Sequence, residues 1–175
     1  MDIKDEYNSY YTKLRRVRDE AFSGCSNLKI FEWPDDLRVI HTRGFAECRK
    51  LASYKIGRNI RFLQSGAFIY TFAAEDQEQK LLNLHLPSTL ETIERSTFAG
   101  LSGDRLGARS IDKLYFGSGL SDVMKVKTSI EDGAFTSTNI NKVIVFCNPE
   151  DFQNWNTPDM KRLFNNAEIV EGTGV

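Results

Sequence analysis

Apolar side chains recur along this chain at a long, fixed spacing, not at the period of about 3.6 residues that marks an amphipathic helix. From Leu14 the order is Leu14, Val17, Phe22, Cys25, Leu28, Phe31, Trp33 and Pro34. It returns 23 residues later as Leu37, Ile40, Phe45, Cys48, Leu51, Tyr54 and Ile56, with Gly57 where Pro34 stood. A third pass opens with Ile60, Leu63 and Phe68. It runs through a seven-residue polar excess within TFAAEDQEQK and resumes at Leu81, Leu84, Leu86 and Pro87. The fourth has Leu90, Ile93 and Phe98, another seven-residue excess within GLSGDRLGARS, then Ile111, Leu114, Phe116 and Gly117. Leu120 and Val123 look like a fifth start, and Ile130 with Phe135 restores the step before Ile140, Val143 and Val145.

An aliphatic residue stands five before a Phe at Val17, Ile40, Leu63, Ile93 and Ile130, which chance does not explain. A unit of this size buries too little apolar surface by itself. Stacked units share one core, and insertions are forced out as loops. The expected fold is therefore an α/β solenoid of about five coils of roughly 23 residues. Residues 14–147 would form the solenoid, 1–13 an N-terminal cap segment and 148–175 a C-terminal cap.

Within each coil the alternation of Phe31 and Trp33 around Glu32 predicts a short strand over Leu28–Trp33 with one face buried. Stacked in parallel, such strands would carry two outward columns on a concave sheet. One holds Ile30, Ser53, Asn83, Lys113 and Lys142, the other Glu32, Lys55, His85, Tyr115 and Ile144. Tyr115 and Ile144 could anchor a partner, and Glu32, Lys55, His85, Lys113 and Lys142 could orient it. Arg15, Arg38 and Arg61, followed by Glu91, fall in register on the other short strand and form a candidate anion ladder, since guanidinium groups bind carboxylate and phosphate bidentately. Cys25 and Cys48 occupy one point in successive coils and read as small core residues, a bridge between them being the alternative.

The ends need covering. Asn148 is placed to cap a short helix with Pro149 in its first turn and Phe152 and Trp155 on its inner face. Thr157 and Pro158 repeat the device before Met160, Leu163 and Phe164, and Ala167–Val170 reads as a final strand. Tyr7, Tyr10 and Tyr11 would lay their rings over the first coil.

The arrangement quoted most fully by LRRVRDEAFSGCSNLKIFEWP resembles the BspA-type leucine-rich-repeat family over about residues 14 to 146. The resemblance implies a leucine-rich-repeat solenoid and a protein-interaction role, with surface adhesion or service as a structural subunit of a larger particle as the alternative. Three long loops and the loss of the Cys position after the second coil depart from a uniform repeat.

Composition narrows the partner. With 23 Lys+Arg against 24 Asp+Glu the net charge is −1, which disfavours nucleic acid and leaves a protein, or a glycan, as the expected ligand. Charge is nonetheless polarised: residues 1 to 61 hold 13 basic and 9 acidic residues, the remainder 10 and 15. No apolar run reaches the length of about 18 that a spanning helix needs, so membrane insertion is not expected. MDIKDEYNSYYTK lacks the basic start and apolar run of a signal peptide, which points to the cytoplasm or a larger assembly unless a leader was removed.

Chemistry is sparse. The two histidines, His41 and His85, fall in different columns, and neither G-x-S-x-G, H-E-x-x-H nor a phosphate-binding glycine loop occurs. Neither catalysis, a cofactor nor a metal is expected. The sequence does not set the oligomeric state.

Overall fold

The computed structural model describes residues 14–72, 81–101, 110–117, 122–124 and 127–173. Among these, the chain runs β1 (Arg16–Val17), β2 (Val39–Ile40), β3 (Phe62–Leu63), β4 (Leu81–Leu86), β5 (Thr92–Ile93), β6 (Ser110–Phe116), β7 (Ser129–Ile130) and β8 (Ile140–Val145). Helices α1 (Pro149–Trp155) and α2 (Pro158–Leu163) follow, then β9 (Glu168–Glu171). Two parallel sheets result, ordered β1-β2-β3-β5-β7 and β4-β6-β8-β9. Parallel sheets with few helices make a repeat solenoid, in which each pass of the chain adds one row.

The aliphatic residues five before each Phe are the register of the first sheet: Val17 pairs with Ile40, Ile40 with Leu63, Leu63 with Ile93 and Ile93 with Ile130. Val17, Ile40, Leu63 and Ile93 are buried, whereas Ile130 is half-buried at the last row. Val123, read as a fifth start, belongs to neither sheet. The ladder is continued by Ser129–Ile130, which pair with Thr92–Ile93. Leu120 lies outside the described residues, as do Tyr7, Tyr10, Tyr11 and most of the two polar excesses.

Beyond each short strand the chain reverses through a turn centred on Phe. The residue two before that Phe has positive φ in every row, at Glu20, Arg43, Gly66, Ser96 and Gly133. So does the residue two after it, at Gly24, Glu47, Tyr70, Gly100 and Ser137. Left-handed backbone at both flanks presents the Phe inward and its N–H to the next row: Phe22 donates to the Gly44 carbonyl, Phe45 to Ala67, Phe68 to Thr97 and Phe98 to Ala134, at 2.8 to 2.9 Å. The rings then stack nearly parallel, with centroids 4.9 Å apart for Phe22–Phe45, 5.6 Å for Phe45–Phe68, 5.5 Å for Phe68–Phe98 and 5.3 Å for Phe98–Phe135. This offset stacking adds to the apolar burial of the core.

Phe164 takes the next place, tilted at 5.4 Å from Phe135, and Trp155 lies 4.7 Å from Phe116. Thr157 accepts a hydrogen bond from the Met160 N–H at the start of α2. Asn148 sits at the start of α1 but makes no side-chain capping bond there. Asn165 donates through Nδ2 to the Phe135 and Thr138 carbonyls, so the turn of the last row is met by side-chain amide hydrogens.

One expectation is corrected. Cys25 is exposed, not packed in the core, while Cys48 is buried. The position three after Phe serves a specific bond: the Cys48 thiol donates to the Phe22 carbonyl, the Thr71 hydroxyl to Phe45 and the Thr138 hydroxyl to Phe98. In these three rows a small donor reaches back one row, threonine serving where cysteine is absent; in the fourth row the position is Leu101, whose N–H instead donates to Thr138 Oγ1 at 3.3 Å.

Candidate functional site

The second sheet positions the outward columns. Asn83 pairs with Lys113, Lys113 with Lys142 and Lys142 with Glu168; beside them His85 pairs with Tyr115, Tyr115 with Ile144 and Ile144 with Val170. A single parallel bridge joins Lys55 to His85. Lys55, His85, Tyr115 and Ile144 therefore do form one file across the face. Asp112 is an extra residue at the β4–β6 register shift, and it is held by the Asn141 amide.

The expected strand over Leu28–Trp33 is not formed. Between the first two rows the Ala52 N–H donates to the Lys29 carbonyl. Next to it the Ser53 hydroxyl takes over, accepting from the Phe31 N–H at 2.9 Å and donating to the Phe31 carbonyl at 3.1 Å. A side chain inserted into the ladder separates the main chains, and the regular sheet starts only at β4. Ile30, 71% exposed, and Glu32 thus stand outside the sheet.

Where the ladder opens, the face holds an open cleft of about 490 Å³. Phe31, Glu32 and Trp33 form one wall, Ala52 to Lys55 the floor, and Asn83 and His85 the other wall. Three of the residues singled out from sequence, Glu32, Lys55 and His85, meet here. Lys113, Lys142, Tyr115 and Ile144 lie along the sheet outside it. Glu32 and Lys55 are exposed and neither is ion-paired among the described residues, whereas Lys142 is bound to Glu168 at 3.0 Å.

His85 stacks on Tyr115 with centroids 4.3 Å apart and planes 3° from parallel. Burial first, and then the Lys55 ammonium, hold its imidazole pKa below the usual 6.5, so the neutral ring is favoured. Among the described residues Trp33 Nε1 and His85 Nδ1 are buried without hydrogen-bond partners, so each carries an uncompensated desolvation cost in a residue that lines the cleft.

Sequence reasoning missed the aromatic wall. Phe31, Trp33 and Tyr54 read as core residues, yet all are half-buried and line the cleft. The readable signal was the pair Ala52–Ser53, two small residues in the row between Lys29–Ile30 and Leu82–Asn83.

The arginine ladder exists in the backbone: the Arg38 N–H donates to the Arg15 carbonyl, Arg61 to Arg38 and Glu91 to Arg61. Its side chains diverge. Arg61 is salt-bridged to Glu91, and Arg38 donates to the carbonyls of Asp35 and Leu37. The Asp35 carboxylate is taken bidentately by Arg58, at 2.9 and 2.6 Å. Arg15 alone of the three is exposed with no ion pair among the described residues.

Among the described residues no group of three or more His, Cys, Asp or Glu is placed to hold a metal ion. No helix among them is long and apolar enough to cross a membrane. The family model described as BspA type leucine rich repeat region matches residues 7–103 and 76–156, with six copies. No curated protein and no solved structure matches the chain.

Proposed function

The chain belongs to the BspA-type leucine-rich-repeat family, and from that premise we propose that it is a non-catalytic module that holds a protein partner on its concave sheet, centred on the cleft at Lys55. Repeats of this family suggest interaction or adhesion and are typically non-enzymatic. In this reading about five coils of roughly 23 residues span 14–147, with capping segments at 1–13 and 148–175.

The observation that carries the proposal is the convergence of charged and aromatic groups in one opening. A cation at Lys55 and a carboxylate at Glu32, neither ion-paired among the described residues, and three half-buried aromatic side chains surround a cleft beside the regular sheet. Aromatic anchors flanked by unengaged charges suit a protein contact, in which apolar burial gives affinity and charge gives orientation. The file His85, Tyr115 and Ile144 extends the surface beyond the cleft, with Lys113 beside it. The arginine ladder is a weaker docking site, since Glu91 already neutralises Arg61.

The test is cross-linked affinity purification from the native source, wild type beside a Lys55→Glu, Tyr115→Ala double variant, with identification by mass spectrometry. A partner captured by the wild type and lost from the variant supports docking on the sheet. Identical captures would move the contacts to the loops or ends and favour the structural-subunit reading.

A further inference from the structure

We infer that Cys25 and Cys48 are a redox modification site, which closes to a disulfide when the chain meets a small-molecule disulfide and staples the first row to the second.

The two cysteines occupy the same position in rows that are 23 residues apart. Those rows are locked together around them: the Phe22 N–H donates to the Gly44 carbonyl and the Gly24 N–H to Ala46, both at 2.9 Å. Adjacent parallel segments lie about 4.8 Å apart, inside the Cα separation of roughly 4.4 to 6.8 Å that a disulfide spans. Cys48 reaches toward its partner's row. Its Sγ is 3.0 Å from the Phe22 carbonyl oxygen, and the Cys25 N–H donates to that same oxygen at 3.0 Å. The Cys48 sulfur and the Cys25 backbone are therefore neighbours across one atom. Cys25 is exposed, and its side chain leaves the backbone beside that sulfur.

The exchange balances without a cofactor. The Cys25 thiolate attacks one sulfur of a small disulfide such as oxidised glutathione, breaking its S–S bond and releasing one thiol. Cys48, losing its proton, then attacks the Cys25 sulfur and releases the second. Two electrons and two protons leave the protein, and the small disulfide ends as two thiols. Exposure makes Cys25 the first to react. Burial pushes the Cys48 thiol up to about 12, the adjacent Cys25 sulfur adding to the effect and the Cys25 N–H opposing it. Capping Cys25 removes the charge repulsion between the two sulfurs but not the burial. Closure is consequently slow, and the bridge is a lasting stitch, not a rapid switch.

The consequence reaches the cleft. Its first wall, Phe31 to Trp33, belongs to the row that the bridge would fix, and beside the cleft that wall is tied to the second row through the Ser53 hydroxyl. The inference is independent of which partner docks there.

The test incubates the full chain with oxidised glutathione, alkylates remaining thiols and digests with trypsin without reduction. A species linking Asp19–Lys29 to Gly44–Arg49 is expected in the wild type and in Cys147→Ser. It is absent from Cys25→Ser and abolished by dithiothreitol. Tm should rise by about 5 °C on closure and fall back on reduction. The inference is overturned if Cys25 remains a glutathione adduct while Cys48 stays alkylatable after unfolding, or if Cys25 couples to Cys147 or to a second chain. Cys25 is exposed, so Cys25→Ser folds and the control holds.

Discussion

Replacing Phe68 by Ala tests whether the phenylalanine column is the main support of the stack. Phe68 is fully buried and stacks on Phe45 at 5.6 Å and on Phe98 at 5.5 Å, with Phe72 at 5.4 Å and Trp33 at 6.1 Å. Truncating a buried Phe costs about 3–5 kcal/mol, and aromatic pairs of this geometry add about 0.5–1.5 kcal/mol each, so the upper end of the range is expected. Phe22 holds the same position in the first row, but it is half-buried and stacks on one member of the column, Phe45, with Phe31 edge-on. Phe22→Ala should cost about 1–2 kcal/mol.

In a solenoid stability is close to a sum of row and interface terms, and an interior row has two interfaces to lose. Urea unfolding followed by circular dichroism reads the difference as a shift in midpoint at constant m. For a chain of this size each kcal/mol moves Tm by about 2–4 °C, so Phe68→Ala should melt roughly 10 °C or more below wild type. Equal losses in the two variants, or a loss under about 1 kcal/mol at Phe68, would refute a load shared through the column.

Gly100 has positive φ, and an added Cβ would collide with the Tyr70 ring, whereas at Gly24, also at positive φ, an added Cβ meets open space. Gly24→Ala should cost about 1 kcal/mol by backbone strain alone and Gly100→Ala distinctly more, as compared by chemical denaturation. Thr157→Ala should lose about 1 kcal/mol with its capping bond, while Asn148→Ala, with no such bond to lose, stays within a few tenths on the same assay. His85 is held neutral in the fold and regains its ordinary pKa of 6.5 when unfolded, so the unfolded chain binds the extra proton. Its contribution to stability is complete above pH 6.5 and is lost as pH falls from there toward the depressed folded value. His85→Gln should accordingly flatten the fall in Tm between neutral pH and pH 5; an unchanged slope would count against the assignment.

What the sequence disclosed was set by how directly side-chain spacing encodes contact. Val17, Ile40, Leu63, Ile93 and Ile130 could be aligned by eye because every one occupies the same register position. The file from Lys55 through His85, Tyr115 and Ile144 was legible for the same reason. The strand at Leu28–Trp33 was not, because the alternation of Phe31, Glu32 and Trp33 is the same whether a main-chain ladder or the Ser53 hydroxyl joins the rows. Nor could spacing show that Cys25, identical in pattern to Cys48, is exposed where Cys48 is buried. The left-handed residues were hidden too, since Glu20, Arg43, Ser96 and Ser137 are not types that announce positive φ.

The hydrogen bonds between rows do not all run one way. His41 donates back to Val17 and Gln64 to Ile40, while Phe45 donates forward to Ala67 and Glu47 to Ile69. Each row is thus donor and acceptor to its neighbours at points spread around the coil. A row cannot swing out about one edge without breaking bonds of both senses together, so neighbouring rows open as one cooperative unit and their amides should exchange with solvent together.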